Sequence, residues 1–233
     1  MTKRRHVPIQ FDEIRDIFNL AQLIESADML RLATFDGDET LWPDRTTLTP
    51  DNPLVLLLKE LMQQGVHVAL VTAVGFPDPG PYQERMESLL QQLKNDPDSE
   101  HRGDLFCVGG QCNYIFKWNP KSQCLECIPE ALPAELEDLR EEDIQKLLDV
   151  AENSLRSDAA SFPLDVRLIR KARAVGIIMK GSGDSSIASR IILDEITLRA
   201  RAAIQELQKS TDIDVPFCTF NGGRDAFIDI GSK

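Results

Sequence analysis

The chain has 233 residues, of which 42% are hydrophobic and 27% are charged, a composition typical of globular proteins and unlike that of disordered or fibrous chains. Its 26 basic and 38 acidic residues give a formal net charge of −12, which argues against binding to nucleic acid polymers or anionic membranes. No apolar run reaches the ~20 residues that span a bilayer, and the first residues lack the apolar stretch of a secretory signal. We therefore expect a cytoplasmic protein, with the nucleus as the alternative, and reduced cysteines.

The first third of the chain alternates helix and strand patterns, which predicts an α/β fold. Apolar side chains recur at helical spacing over residues 14–30 and predict an amphipathic first helix. A short, mostly apolar strand is predicted over residues 30–35, and it ends in the acidic turn Asp36-Gly37-Asp38.

A second helix and strand follow. Asn52 is suited to cap a helix and Pro53 to occupy its first position, and Gly65 is suited to the left-handed turn that ends the helix. The apolar run over residues 66–71 then predicts a second buried strand, which ends at Thr72.

The composition changes after Gly75, where turns rich in Pro and Gly precede new helix and strand patterns. These patterns predict helices near residues 144–155 and 185–209 and a strand over residues 174–179. Two further strand-like runs lie within residues 215–230, on either side of Asn221-Gly222-Gly223.

We accordingly predict three parts of the chain. Residues 1–26 form an N-terminal helical segment, residues 27–76 and 215–233 form a doubly wound, mainly parallel core, and residues 77–214 form an inserted α/β cap.

The acidic turn is the strongest local signal for chemistry, because open α/β sheets bind ligands at the carboxyl ends of their strands. Asp36 and Asp38 are two residues apart, so an extended backbone presents both carboxylates to one pocket, and Gly37 permits close approach of a ligand. Such a pair can hold Mg²⁺, attack phosphorus and transfer protons. Thr72 can hold a phosphoryl oxygen at the next strand end, and Lys233 can offset phosphoryl charge.

This order of residues resembles the haloacid dehalogenase-like phosphatases, which carry D-x-D-x-T/V after one strand, Thr or Ser after the next, and a later Lys. More narrowly, it resembles the IMP-specific 5′-nucleotidases of fungi and apicomplexans. The similarity runs over nearly the whole chain, through segments 34–41, 71–73, 109–116, 173–177 and above all 220–233, FNGGRDAFIDIGSK.

The resemblance implies that two of these residues, Asp36 and Asp38, are catalytic and that both also bind the substrate. Asp36 is the implied nucleophile and Mg²⁺ ligand, and Asp38 the general acid/base and a metal ligand through its backbone carbonyl. Thr72 and Lys233 are implied to bind the phosphate. The expected reaction is hydrolysis of IMP to inosine and phosphate through an aspartyl-phosphate.

Three more acidic residues, Asp44, Asp225 and Asp229, match positions that these enzymes use to bind the nucleotide. In an extended segment Asp225 and Asp229 face one side, with Phe227 between them as a stacking surface. The family also implies a haloacid dehalogenase-like core with a cap, a homotetramer, and ATP as an effector. Asp16 departs from the basic residue or His that we expect at its position for the ATP response.

The fourth motif of the superfamily, an acidic group that completes the Mg²⁺ site, lies downstream of the lysine and is absent from these 233 residues. We therefore expect a core that is incomplete at its C-terminal end. Either the chain is a fragment of a working nucleotidase, or it is a truncated relative that binds nucleotide with weak or no hydrolysis.

The cysteines offer an alternative function. Cys107, Cys112, Cys124 and Cys127 have a spacing, C-x₄-C and C-x₂-C, that four ligands of a structural zinc can adopt. On that interpretation the protein is a zinc-stabilised interaction module. The other interpretation of the same segment is a β-hairpin whose cysteines are small apolar side chains.

Overall fold

The computed structural model describes residues 8–38, 40–43, 46–73, 75–95, 103–110, 112–129, 136, 138–162, 164–180 and 187–231. Asp44 and Lys233, two of the predicted substrate-binding residues, lie outside this part of the chain. The helices are α1 (Phe11–Ser26), followed by a short 3₁₀ turn (Ala27–Met29), α2 (Pro53–Gln63), α3 (Gly80–Arg85), α4 (Glu87–Lys94), α5 (Glu141–Ser161) and α6 (Ile187–Ser210).

Nine strands form two sheets in the described residues. The strands are β1 (Leu32–Asp36), β2 (His67–Thr72), β3 (Leu105–Gly109), β4 (Tyr114–Asn119), β5 (Cys124–Cys127), β6 (Val166–Arg170), β7 (Ala174–Met179), β8 (Phe217–Asn221) and β9 (Asp225–Ile230). The first sheet has the order β1-β2-β3-β4-β5, and the second has the order β6-β7-β9-β8.

The first sheet begins with three parallel strands, since β1 pairs with β2 and β2 with β3 in parallel, and it continues through the antiparallel strands β4 and β5. Helix α2 begins as predicted, because the Asn52 side chain accepts a hydrogen bond from the backbone N–H of Leu54 and Pro53 occupies the first helical position. The glycine after this helix, Gly65, has a φ of +81°, a left-handed conformation that favours glycine.

The second sheet is antiparallel throughout, and helices α5 and α6 cover one of its faces. Each sheet has its own cluster of buried apolar residues, one between the first sheet and helices α2 and α4, the other between the second sheet and helices α5 and α6. The chain is therefore built as two α/β lobes, here called the core (the first sheet with its helices) and the cap (the second sheet with its helices), which agrees with the predicted α/β fold.

The pairing of the strands differs from the predicted boundaries of these lobes. Strands β3, β4 and β5 fall within residues 77–214, yet they extend the first sheet. Strands β8 and β9 fall within residues 215–233, yet they belong to the second sheet. The apolar pattern of a strand shows that it is buried but not against which partner. The sequence therefore predicted strands within residues 215–230 without the sheet that they join, and it did not predict β3 as a strand.

The N-terminal helical segment is present as α1, whose Glu13 carboxylate accepts the backbone N–H of Gln10 at 3.0 Å. None of its side chains is buried. Across the described helices, none combines the length and the hydropathy required to cross a membrane.

Replacing a fully buried leucine of the cap should destabilise the protein strongly. Leu148 of α5 has no exposed surface, so Leu148→Ala leaves a cavity and should lower the free energy of unfolding by about 2–5 kcal/mol. The control is Leu198→Ala on α6, where the leucine is 57% exposed and the same truncation should cost under about 0.5 kcal/mol. Urea denaturation measures both; equal effects of the two variants would contradict the described burial.

Candidate active site

The site begins at the loop after β1, where Asp36 ends the strand opposite Val71 of β2. The backbone N–H of Gly37 donates to the carbonyl of Val71 at 3.0 Å and carries the pairing one residue further. Gly37 packs so closely that a Cβ would lie 2.6 Å from the Trp42 ring. A glycine at this position therefore allows the turn that directs Asp36 and Asp38 to the sheet edge.

The Asp38 carboxylate accepts hydrogen bonds from three parts of the core. The indole Nε1 of Trp42 donates to Oδ1 at 3.1 Å, and the Thr72 hydroxyl donates to Oδ2 at 3.3 Å. The Arg85 guanidinium donates to Oδ1 at 2.5 Å and forms an ion pair with it. The structure thus brings Asp38 and Thr72 together at the carboxyl ends of β1 and β2, while the Asp36 side chain is exposed beside them.

Arg85 is a residue that the sequence analysis missed. It ends the short helix α3, which Tyr82 anchors to the core: the Tyr82 ring packs 5.1 Å from the Phe116 ring centroid, and its hydroxyl bonds both the N–H and the carbonyl of Phe76. Burial raises the pKa of this phenol well above its usual range. A lone arginine on a short helix gives no sequence signal, because its partner Asp38 is 47 residues away.

Strand β9 of the cap carries the other predicted binding residues. Ala226, Ile228 and Ile230 lie in the buried cluster of the cap, so the alternation of a strand places Asp225, Phe227 and Asp229 on the opposite face. Asp225 is half-buried and Asp229 is buried.

This face of β9 meets the core at the loops after β2 and β3. Asp229 lines a small cavity with Gly75, Gly110 and Tyr114 of the core, and Lys171 and Arg173 of the cap line it as well. The Asn113 amide nitrogen donates to the carbonyls of Gly110 and Ile230, both at 2.5 Å, and ties the end of β9 to the core.

Lys171 lies at the same contact between the cap and the core. Its ammonium lies 5.1 Å from the ring centroid of Phe76 in the core and 5.4 Å from that of Phe227 in the cap, distances at which a cation is attracted to an aromatic face. Burial lowers the pKa of Lys171, the Asp229 carboxylate opposes that shift, and the Arg85 charge adds to it. The cap thus places a cation and two carboxylates beside the core edge that holds Asp36, Asp38 and Thr72.

The sequence profile of the family described as IMP-specific 5′-nucleotidase matches residues 1–233. The chain belongs to the IMP-specific 5′-nucleotidase family. It is 38% identical over 240 residues to IMP-specific 5′-nucleotidase 1 of Aspergillus fumigatus and equally so to that of Neurospora crassa. These alignments cover 100% of the chain but 52% and 55% of the relatives.

Solved structures agree with this assignment. IMP-bound, N-terminally truncated IMP-nucleotidase of Plasmodium falciparum superposes with a TM-score of 0.77 at 30% identity, over 100% of this chain and 61% of that one. The ATP-bound form of the same protein gives a TM-score of 0.78 at 30% identity, with 53% of it covered. The chain spans about half the length of the curated relatives that it matches.

The four cysteines do not form a zinc site in the way the alternative interpretation required. The described residues, which include all four, contain no cluster of three or more His, Cys, Asp or Glu side chains able to hold a metal. Cys107 is buried in the core sheet, and Cys127 is exposed at its edge. Cys107 of β3 and Cys127 of β5 pair with Phe116 of β4 from opposite sides, so a strand separates the two thiols. The segment that contains β3, β4 and β5 is a β-meander, and its cysteines are free thiols.

Thiol labelling checks this arrangement. Burial raises the pKa of the Cys107 thiol to about 12, and its side chain is almost fully covered, so native Cys107 should resist iodoacetamide at pH 8. Exposed Cys127 should be alkylated under the same conditions, and peptide mass spectrometry distinguishes the two. Cys107 should become reactive only in urea; equal labelling of both thiols in the native protein would contradict the fold of this sheet.

Proposed function

We propose that this protein is a Mg²⁺-dependent 5′-nucleotidase that hydrolyses IMP to inosine and phosphate through an aspartyl-phosphate, in purine nucleotide salvage or catabolism. The observation that carries the proposal is the convergence of Asp36, Asp38 and Thr72 at the ends of two adjacent parallel strands. Family membership supports the same reaction, since the relatives at 38% identity are named for it.

The chemistry divides between the two carboxylates. Asp36 attacks the phosphorus of IMP and forms a bond to it as the bond to the 5′-oxygen of the nucleoside breaks. Asp38 gives a proton to that oxygen, so inosine leaves as an alcohol. A water molecule then attacks the phosphorus, Asp38 takes its proton, and the Asp36–phosphorus bond breaks to release phosphate.

The geometry of the site supports these roles. Asp36 is exposed and open to a ligand, and Asp38 is held two residues later by Trp42, Thr72 and Arg85. The Thr72 hydroxyl sits where it can turn from Asp38 to a phosphoryl oxygen. Lys233, outside the described residues, is proposed to neutralise charge on the phosphate.

The donor atoms near Asp36 fit Mg²⁺ in kind. The Asp36 carboxylate and the Asp38 main-chain carbonyl are oxygen donors, and Mg²⁺ commonly binds one or two carboxylates, several waters and a substrate phosphate. When bound, the ion neutralises charge on the phosphoryl oxygens.

The cap residues Asp225 and Asp229, together with Asp44, which lies outside the described residues, are proposed to bind the nucleoside. Carboxylates accept hydrogen bonds from ribose hydroxyls and from the purine ring N–H, and Phe227 lies between the two cap residues on the same face as a stacking surface. Asp229 lies at the contact between cap and core, so a nucleotide bound beside it would contact both lobes.

Regulation and assembly are proposed from the family. The P. falciparum relative has been solved with ATP bound, and we propose ATP as an effector here, acting on a cytoplasmic homotetramer. Asp16 of α1, in place of the expected basic residue, predicts a weaker response to ATP.

A catalytically silent nucleotide-binding relative is the second candidate. It is favoured by the ion pair between Arg85 and Asp38, because Asp38 in that contact is not free to transfer a proton. Incubation of the purified protein with IMP and Mg²⁺ decides between the two. Phosphate release supports the nucleotidase, a higher melting temperature without release supports the silent relative, and neither effect rejects both.

Asp36→Asn tests the nucleophile. The amide cannot attack phosphorus, so phosphate release from IMP should fall about 10³-fold or more. The matched control is Asp51→Asn, at an exposed position before α2, which should keep the wild-type rate. Retained turnover in Asp36→Asn, measured by phosphate release, would rule out Asp36 as the nucleophile.

Asp225→Asn tests nucleoside binding by the cap. Loss of the carboxylate should raise KM for IMP roughly tenfold while changing kcat less, because Asp225 is proposed to contact the nucleoside and not the phosphorus. Asp214→Asn, exposed just before β8, is the control with the same chemical change and no expected effect. A wild-type KM in Asp225→Asn would remove this residue from the binding site.

A further inference from the structure

Arg85 is the basic side chain that reaches the catalytic loop. Among the ion pairs of the described residues, Arg85–Asp38 is the one that joins a cation to the loop after β1. The two side chains are 24% and 27% exposed, so solvent, and therefore a ligand, reaches the pair. The ion pair thus stands at the opening of the site and not beneath it.

The position of the guanidinium is built into the core. Tyr82, one helical turn before Arg85, is buried against Phe116, and Met86 directly after it is buried as well. The Arg85 carbonyl also accepts the backbone N–H of Leu48 at 2.9 Å. The backbone is therefore fixed on three sides, and only the long side chain remains free to change partner.

A further cation beside Asp38 would lower the repulsion that remains once the proposed Mg²⁺ and Lys233 have offset part of the negative charge. Asp36 and Asp38 are two carboxylates, and the phosphate of a nucleotide adds a dianion next to them. Like charges at this distance repel strongly in a partly desolvated cleft. Arginine is the side chain best shaped to meet a phosphate, because its planar guanidinium donates two parallel hydrogen bonds to two oxygens.

We propose that Arg85 is a phosphate-binding residue of the active site, whose guanidinium exchanges the Asp38 carboxylate for the substrate phosphoryl group. This inference rests on the proposed function and adds to it a residue that binds the phosphate. No covalent bond changes in the exchange. After phosphate leaves, Arg85 returns to Asp38.

The exchange has two consequences. While Arg85 and the Thr72 hydroxyl hold phosphoryl oxygens, Asp38 keeps its hydrogen bond from Trp42 and turns its other oxygen toward the leaving group. Arg85 recognises the phosphate and not the purine, so its contribution is equal for every 5′-mononucleotide and absent for the nucleoside.

Isothermal titration of the purified protein, with Mg²⁺ throughout, tests the proposal with three probes: IMP, inorganic phosphate and inosine. In the IMP titrations every protein, the wild type included, carries Asp36→Asn, so that binding is measured without turnover. Arg85→Met keeps the length of the side chain and removes its charge, and should weaken IMP and phosphate about 10- to 100-fold without changing inosine affinity. Arg85→Lys restores the charge without the fork and should recover part of the loss. The control is Arg156→Met, which removes an arginine from an ion pair with Glu152 on α5 and should leave all three affinities unchanged.

Each outcome bears on the proposal. Wild-type phosphate affinity in Arg85→Met overturns it, as does an equal loss of inosine affinity, which would show a structural role. Absence of phosphate binding in the wild type also overturns it. If Arg85→Met fails to fold, Arg85→Lys decides, since unchanged phosphate affinity and unchanged kcat/KM there exclude a bidentate contact. Failure of the proposed function is distinct: the wild type then binds phosphate through Arg85 but neither binds nor hydrolyses IMP.

A double-variant cycle gives an independent check. Asp38→Asn removes the competitor for Arg85, so inorganic phosphate should bind more tightly than to the wild type. When Asp38→Asn is introduced into Arg85→Met, it should give no such gain in phosphate affinity, because the guanidinium that Asp38→Asn would release is no longer present. Purely additive effects of the two changes would contradict an exchange of partners.

Discussion

The arrangement of the site depends on one carboxylate, that of Asp38, and on the donors that surround it. A partly buried charge is stable only when its lone pairs are met, and here Trp42, Thr72 and Arg85 meet them from the loop after β1, the end of β2 and the end of α3. The Asp38 carboxylate therefore joins these three elements at the edge of the sheet. The sheet edge is preorganised for an anion before any ligand arrives.

The cap is joined to this edge by polar and aromatic contacts instead of a continuous apolar core. Asn113 bridges the carbonyls of Gly110 and Ile230, and Lys171 lies over the rings of Phe76 and Phe227. Each lobe keeps its own buried cluster, so the contacts between them are few and specific. Such a junction suits a site in which the core handles the phosphate and the cap handles the nucleoside, since the lobes can separate without exposing either core.

Much of the secondary structure could be predicted from the sequence, because periodic burial acts locally. The cap on α2 at Asn52, the turn at Gly65 and the strand Ala174–Met179 follow from neighbouring residues alone. The convergence of Asp38 and Thr72 could also be predicted, since parallel neighbouring strands end at one edge. The sheet to which β3, β8 and β9 belong could not, because an apolar strand fits equally well against several partners.

The sequence by itself determined the alternation of helices and strands, the family, and the acidic turn at the end of β1, because each depends on residues close together in the chain or on a motif read in order. Only the tertiary structure decided that Arg85 pairs with Asp38, that the cysteines stay apart, and that β9 carries Asp225 and Asp229 on the cap. These are contacts between segments tens of residues apart. Their energies come from burial and charge in the folded chain, and no local pattern encodes them.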